Sequence, residues 1–322
     1  MAGRRVLITG VGSYFGSELA RRLEADDEVE HVVGLDTRRP RGRLERTELI
    51  EADIRDPGIA GLIAPTRVDT VVHEQIVRQP GATMSARTMH DVNVIGTLQL
   101  LAACEKTDSI GTFVVRGSSG IYGAEPNAPQ FFTEDMARLF PLRTRFQRDV
   151  GEIENYFQTF ARRHPGVTCT MLRYQPALGA RLDTQFSRYL SMPVVPTHLG
   201  FDPRLQVVHA DDAVDALAAA VRNPVDGPVN VASPGTIGLT RAVRLAGRPT
   251  LPLLSPAFGP VTGAAKRIGL PGLSEDFSRL IRHGRAVDVT RLKEEVGFSP
   301  RYTTSMALED WVERSRPEKT AA

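Results

Sequence analysis

Arg5-Val6-Leu7-Ile8-Thr9-Gly10-Val11-Gly12-Ser13-Tyr14-Phe15-Gly16 is the stretch whose reading decides the fold. Its first five residues form a continuous β-rich run, the pattern of a parallel strand covered on both faces. A glycine-rich loop follows at once, and within Ser17–Glu24 the residues Leu19 and Leu23 recur at helical spacing. Glycines between a first strand and a first helix have a mechanical use. The turn is tight, the backbone comes close to a pyrophosphate, and the helix N-terminus offers it unpaired N–H groups and a positive dipole end. Gly10, Gly12, Ser13, Tyr14, Phe15 and Gly16 are therefore candidate cofactor-binding residues. Asp36 closes the next apolar run, 20 residues beyond Gly16, where a carboxylate accepts hydrogen bonds from the hydroxyls of an adenosine ribose. That favours NAD. Arg38 and Arg39 follow closely enough to counter a 2′-phosphate, which leaves NADP open.

Outward from this stretch, apolar runs at His31–Leu35, Thr47–Glu51, Thr70–His73, Gly111–Arg116 and Val167–Leu172 alternate with helical patterns, notably Val92–Cys104 and Gly151–Arg163. The alternation predicts βαβ units and an α/β fold with a Rossmann-type doubly wound parallel sheet. Beyond Arg173 it breaks down. Leu205–His209 and the Ala-rich Asp212–Val221 read as a strand and helix returning to the sheet, whereas residues 234–275, rich in Pro and Gly, read as irregular, with a final helix near Ser305–Arg314. The expected division is a dinucleotide-binding domain over residues 1–178, rejoined by 205–233, and a smaller interleaved substrate-binding lobe from 179–204 and 234–322.

Forty Lys and Arg against 38 Asp and Glu leave a formal charge of +2, which gives no long-range reason to expect nucleic acid or an anionic membrane as partner. The local exception, Arg38-Arg39-Pro40-Arg41-Gly42-Arg43, reads as a solvated loop. Cys104 and Cys169 lie in apolar runs, without CxxC or Cys/His spacing, so neither a metal site nor a disulfide is expected. The apolar run after Arg4 and Arg5 is too short for a signal-peptide core, and no stretch reaches the length of a membrane span. A cytoplasmic location follows as the expectation.

Further segments resemble the extended short-chain dehydrogenase/reductase pattern of the NAD-dependent epimerases and dehydratases, and within it actinobacterial proteins described as UDP-glucose-4-epimerase-like. Thr9–Gly16 is similar to the family's TGxxGxxG, Asp53-Ile54 to its acidic-aliphatic pair beside the adenine, and His73 to the start of its HxAA segment. Asn93-Val94-Ile95-Gly96-Thr97-Leu98-Gln99-Leu100-Leu101 resembles NVxGTxxLL, Ser118–Gly123 resembles SSxxxYG, and Val208–Ala213 resembles VHVDDxA. The resemblance adds Asp53, Ile54, His73 and Asn93 to the cofactor residues. It also implies hydride chemistry on a nucleotide sugar or another hydroxylated small molecule, and a homodimer through the helices carrying Asn93 and Phe146.

Four departures accompany the likeness. Ser13 stands where the family keeps its middle glycine, and His73-Glu74-Gln75-Ile76 puts bulky side chains where it keeps small ones. Counting back along the helix that holds Tyr156 and Phe157 places the family's Tyr and Lys, its acid/base dyad, at Phe146 and Val150. Neither side chain moves a proton. Ser118, which in the family holds the substrate oxygen, remains. Arg148, paired with Glu152 on its helix, and the phenol of Tyr122 are the remaining catalytic candidates, while Asp211 or Asp212 is expected to cap the next helix. A protein that binds NAD or NADP in a regulatory or assembly role without turnover is the alternative reading.

Overall fold

Seven parallel strands form the central sheet of the computed structural model, which describes residues 3–77, 85–267 and 272–315. They are β1 (Arg4–Thr9), β2 (Val29–Asp36), β3 (Thr47–Glu51), β4 (Thr70–His73), β5 (Thr112–Ser118), β6 (Thr168–Tyr174) and β7 (Gly227–Val231), in the order β7-β6-β5-β4-β1-β2-β3. Chain order reverses between β1 and β4, so the loops leaving these two strands part and open a crevice at the carboxyl edge of the sheet.

The strand sequences explain the two-sided burial. Side chains alternate across a strand, and along β1 the buried Val6 and Ile8 join one core cluster while Leu7 joins another. The first cluster lies with α1 (Tyr14–Glu24) through Leu19 and Leu23, the second with a long helical passage through Leu100 and Leu101. A short helix, α2 (Ile59–Ile63), adds Ile59 and Ile63 to the second.

That passage, anticipated as one helix over Val92–Cys104, begins earlier and is interrupted. Ala86–His90 forms α3, Asp91–Ile95 makes a π-helical turn, and Gly96–Cys104 continues as α4. The interruption falls at Asn93, and π-turns of this kind are frequent at functional sites. The next long helix, α5 (Arg145–Arg163), starts six residues before the sequence pattern suggests. Thr144 accepts a hydrogen bond from the Gln147 amide and Gln147 reaches back to the Thr144 amide, a capping box that fixes the helix start. Phe146 therefore sits in the first turn.

After β6 the chain differs from expectation. Leu205–His209 splits into Arg204–Leu205, paired with Ile237–Gly238, and Val208–His209, paired with Ala177–Leu178, and neither joins the central sheet. The following helix (Ala210–Arg222) does pack against α1, but the strand that returns to the sheet is β7, alongside β6. Residues 234–275 are also more ordered than their Pro and Gly content suggests: they contain helices Leu239–Leu245 and Ser255–Arg267 and a strand, Thr250–Leu253, paired with Val195–His198. Residues 268–271 lie outside the described residues. A third cluster, including Leu178, Phe186, Tyr189, Ile281 and Trp311, forms the core of this C-terminal region.

Candidate active site

The glycine loop is built by hydrogen bonds to the end of β2. The Gly10 amide donates to the Leu35 carbonyl at 2.8 Å and the Gly12 amide to Asp36 Oδ2 at 3.0 Å. Gly10 has φ +77°, and a Cβ there would lie 3.0 Å from the Gln75 backbone. A Cβ on Gly16 would lie 2.3 Å from the Gly10 carbonyl oxygen, so helix and loop approach too closely for any side chain. Ser13, in place of the resemblance's middle glycine, caps α1 by accepting from the Gly16 amide at 2.9 Å. The amides of Tyr14 and Phe15 have no partner among the described residues, and they point the helix N-terminus at the crevice with its dipole.

On the β2 side, Asp36 faces a cavity of about 650 Å³ that also involves Val11, Gly34, Arg38, Arg39 and Arg43. Its Oδ1 accepts from the Arg38 amide at 3.0 Å, and the Arg38 guanidinium lies 3.6 Å away. Asp53 and Ile54 do not line this cavity. Asp53 is held by Arg55, whose hydrogen bonds lower the carboxyl pKa, and the fully buried Ile54 packs under Gly96 of α4.

His73 and Asn93 are supports. The imidazole is fully buried between the hydroxyls of Thr9 and Thr97, at 2.8 Å from each, and burial depresses its pKa to about 3. Asn93 pins Val77 by accepting from its amide at 2.7 Å and donating to its carbonyl at 2.8 Å.

A second cavity, about 570 Å³, runs from Phe15, Arg116 and Ser118 past Phe146 to the C-terminal residues Asp276 and Arg285. Ser118 Oγ accepts from the Gly120 amide at 3.1 Å, which leaves its proton for a substrate oxygen. Phe146 presents a ring to this cleft, whereas Val150 is 2% exposed and belongs to the core.

Two catalytic candidates fall away. The Tyr122 hydroxyl is buried, donates to Asn230 at 2.7 Å and accepts from Arg173 at 2.9 Å, and its pKa is pushed up to about 12 by burial. Arg148 is exposed on the far face of α5 and bonds the Arg143 carbonyl at 3.2 Å instead of pairing with Glu152. It is two residues from Phe146 and so turns to another side of the helix, while Arg145 lines the cleft. Neither Asp211 nor Asp212 caps the helix beginning at Ala210: His209 Nδ1 takes the Asp211 amide, and Asp212 holds Arg301 and the Tyr302 amide.

Sequence reading missed three charged groups at the cleft wall or directly behind it. Arg116 ends a buried apolar run and is 7% exposed, a charge whose place in a strand interior was the available signal. Glu74, noted only as bulky, is its partner at 2.7 Å. Arg285, to which no motif pointed, lies 5% exposed and donates to the Gly123 carbonyl, and burial lowers its pKa.

Unpaired helix amides opposite a carboxylate at the end of the second strand are how doubly wound proteins hold dinucleotides, and this fold and site define a Rossmann-type dinucleotide-binding protein. Residues 6–232 match the model of the NAD dependent epimerase/dehydratase family. The chain is 35% identical over 312 residues to an uncharacterized protein of Mycobacterium tuberculosis (strain ATCC 25618 / H37Rv), covering 95% of this chain and 82% of the relative. It is 25% identical to the dTDP-4-dehydro-6-deoxy-D-allose reductase of Streptomyces bikiniensis, over 93% of this chain and 92% of that protein. Among solved structures, the UDP-glucose 4-epimerase of Thermotoga maritima in complex with UDP-glucose superposes with a TM-score of 0.72 at 22% identity, covering 96% of this chain and 98% of the other. The protein belongs to the NAD-dependent epimerase/dehydratase family.

Proposed function

We propose that the protein binds NAD(H) across the carboxyl edge of its sheet and oxidises or reduces a hydroxylated, anionic small molecule, of which a nucleotide sugar is the best-supported class. The observation that carries this reading is the cleft that starts beside the glycine loop at Phe15 and Ser118 and takes in four guanidinium groups, Arg116, Arg145, Arg188 and Arg285. Three carboxylates, Asp183, Glu275 and Asp276, share it and Glu74 pairs with Arg116 from behind, so the cleft offers a diphosphate guanidinium hydrogen-bond donors rather than a net positive charge. The relatives support the same class, since the reductase and the epimerase act on or bind nucleotide sugars by their names.

NAD bound at the loop would supply hydride exchange at its nicotinamide. The free amides of Tyr14 and Phe15 would hold its pyrophosphate and Asp36 its adenosine ribose, once Arg38, 66% exposed at its side chain, swings away. Ser118 would hold the reacting oxygen. No phenol or ammonium stands at positions 146 and 150, so the proton is exchanged with another cleft group or with water. The same gap favours, as a second reading, a cofactor-holding protein without turnover. A homodimer through the helical passage carrying Asn93 and through α5, which carries Phe146, belongs to the proposal, supported by Ile95 of the π-turn and Leu98 of α4, which are 39% and 41% exposed.

The test is to load the protein with NAD+ or NADH and add UDP- and dTDP-linked hexoses and their 4-keto forms while following nicotinamide absorbance. A change that needs both protein and sugar nucleotide supports the enzyme. Bound cofactor whose redox state no sugar nucleotide alters favours the second reading.

A further inference from the structure

We propose that Arg116 binds the nicotinamide-side phosphate of the dinucleotide and that Glu74 is the positioning residue that aims it. The inference rests on the NAD-binding reading above and assigns a role to two residues that the sequence pattern leaves without one.

Three side chains form a chain across the crevice. Ser13, in the glycine loop after β1, donates to Glu74 Oε2 at 2.5 Å, and Glu74, at the end of β4, accepts from Arg116 of β5 through Oε1 at 2.7 Å. Both carboxylate oxygens are committed. Glu74 does not line the cleft but Arg116 does, so the group offered to a ligand is the guanidinium. It lies 4.0 Å from the centre of the Phe15 ring and 5.4 Å from that of Tyr174. These contacts fix its plane beside the residue whose own amide, with that of Tyr14, lacks a partner.

Arg116 is not saturated where it stands. Its Nε is buried and has no hydrogen-bond partner. An arginine presents five donors in a rigid fork suited to phosphate, and this one, 7% exposed, is seen to spend Nη1 on Glu74, which leaves Nη2 as the donor a phosphate in the cleft would take. Stability alone gives a poor account of the pair, because desolvation cancels most of the attraction between two buried charges. Burial accordingly raises the Glu74 carboxyl pKa against the lowering effect of Arg116. Arg116 also stands two residues before Ser118 on β5, between the glycine loop and the end of the cleft where the reaction would occur. The phosphate nearer the nicotinamide belongs at that junction.

Calorimetric titration of NADH and of AMP into the full chain distinguishes the two phosphates, since AMP carries only the one on the adenosine side. Arg116→Met combined with Glu74→Leu removes both charges together and avoids leaving either one buried alone. The double variant is expected to bind NADH roughly tenfold to a hundredfold more weakly, with AMP affinity unchanged. Arg116→Lys is expected to recover part of the loss, and Glu74→Gln to lower NADH affinity while AMP still binds normally. Equal NADH affinity in wild type and double variant would overturn the inference alone, and so would a parallel loss of AMP, which would mark the pair as a structural support of the loop. A wild-type chain that binds no NADH would overturn the dinucleotide reading and this inference with it.

Discussion

At the scale of single residues, Gly10, Phe146 and Val150 carry the sharpest expectations. Gly10→Val forces a β-branched residue into φ +77° with its Cβ 3.0 Å from the Gln75 backbone. NAD binding should vanish and the fold should lose about 1–3 kcal/mol, read as a lower Tm and an absent calorimetric signal. Stable, cofactor-binding Gly10→Val protein would show the loop to be misread. Phe146 lines the cleft, so Phe146→Tyr should be tolerated, whereas Val150→Lys buries an ammonium in the core. A buried lysine pKa lowered by about 3 units costs about 4 kcal/mol, and thermal unfolding should report that difference between the two variants. The wild type should be a poor UDP-hexose 4-epimerase: a missing general base lowers the rate by about a hundredfold to ten-thousandfold. Chromatography of UDP-glucose incubated with protein and NAD checks this, and rapid formation of UDP-galactose would require a base elsewhere in the cleft.

Between elements, His73 ties β4 to β1 through Thr9 and to α4 through Thr97. Its folded-state pKa of about 3 lies below the ordinary value of 6.5. Below that ordinary value the unfolded chain takes up a proton that the folded chain refuses. The stability linked to His73 is thus full above pH 6.5 and is lost as the pH falls towards 3, at about 1.4 kcal/mol per pH unit. Urea unfolding of wild type and His73→Gln between these limits should show the steeper loss in the wild type; parallel curves would mean the imidazole titrates normally. The elements legible in the sequence were those with an unambiguous period, such as β1, β4 and α1. The split of Val92–Cys104 at Asn93 was not, because the side-chain pattern is helical on both sides and only the hydrogen-bond register changes. The early start of α5 was signalled by the capping-box spacing Thr144-Arg145-Phe146-Gln147 and not by the apolar period, which begins later. Strand β7 was missed because its apolar run, Val229-Asn230-Val231, is short and is preceded by Gly227, at φ +89°, and Pro228.

For the whole molecule, the glycine loop and Asp36 were legible because each needs a particular residue at a fixed distance from a strand end. The far wall of the cleft was not: Phe277, Leu280 and Ile281 give the helix Glu275–His283 a readable period, but that it brings Asp276, and beyond it Arg285, to the cleft is set by tertiary packing. The same limit applies to Tyr122, whose position next to the family's active-site serine says nothing of the Arg173 and Asn230 bonds that close it off. What unites the loop, the β2 carboxylate and the arginine-lined cleft is a dinucleotide lying across the carboxyl edge of the sheet, and the decisive measurement is calorimetric titration of the purified chain with NAD+ and NADP+, repeated on Asp36→Ala. One saturable NAD+ site per chain, weaker binding of NADP+, and loss of that preference in the variant are expected. No binding of either cofactor, or NADP+ bound the more tightly by the wild type, would contradict the NAD-binding reading.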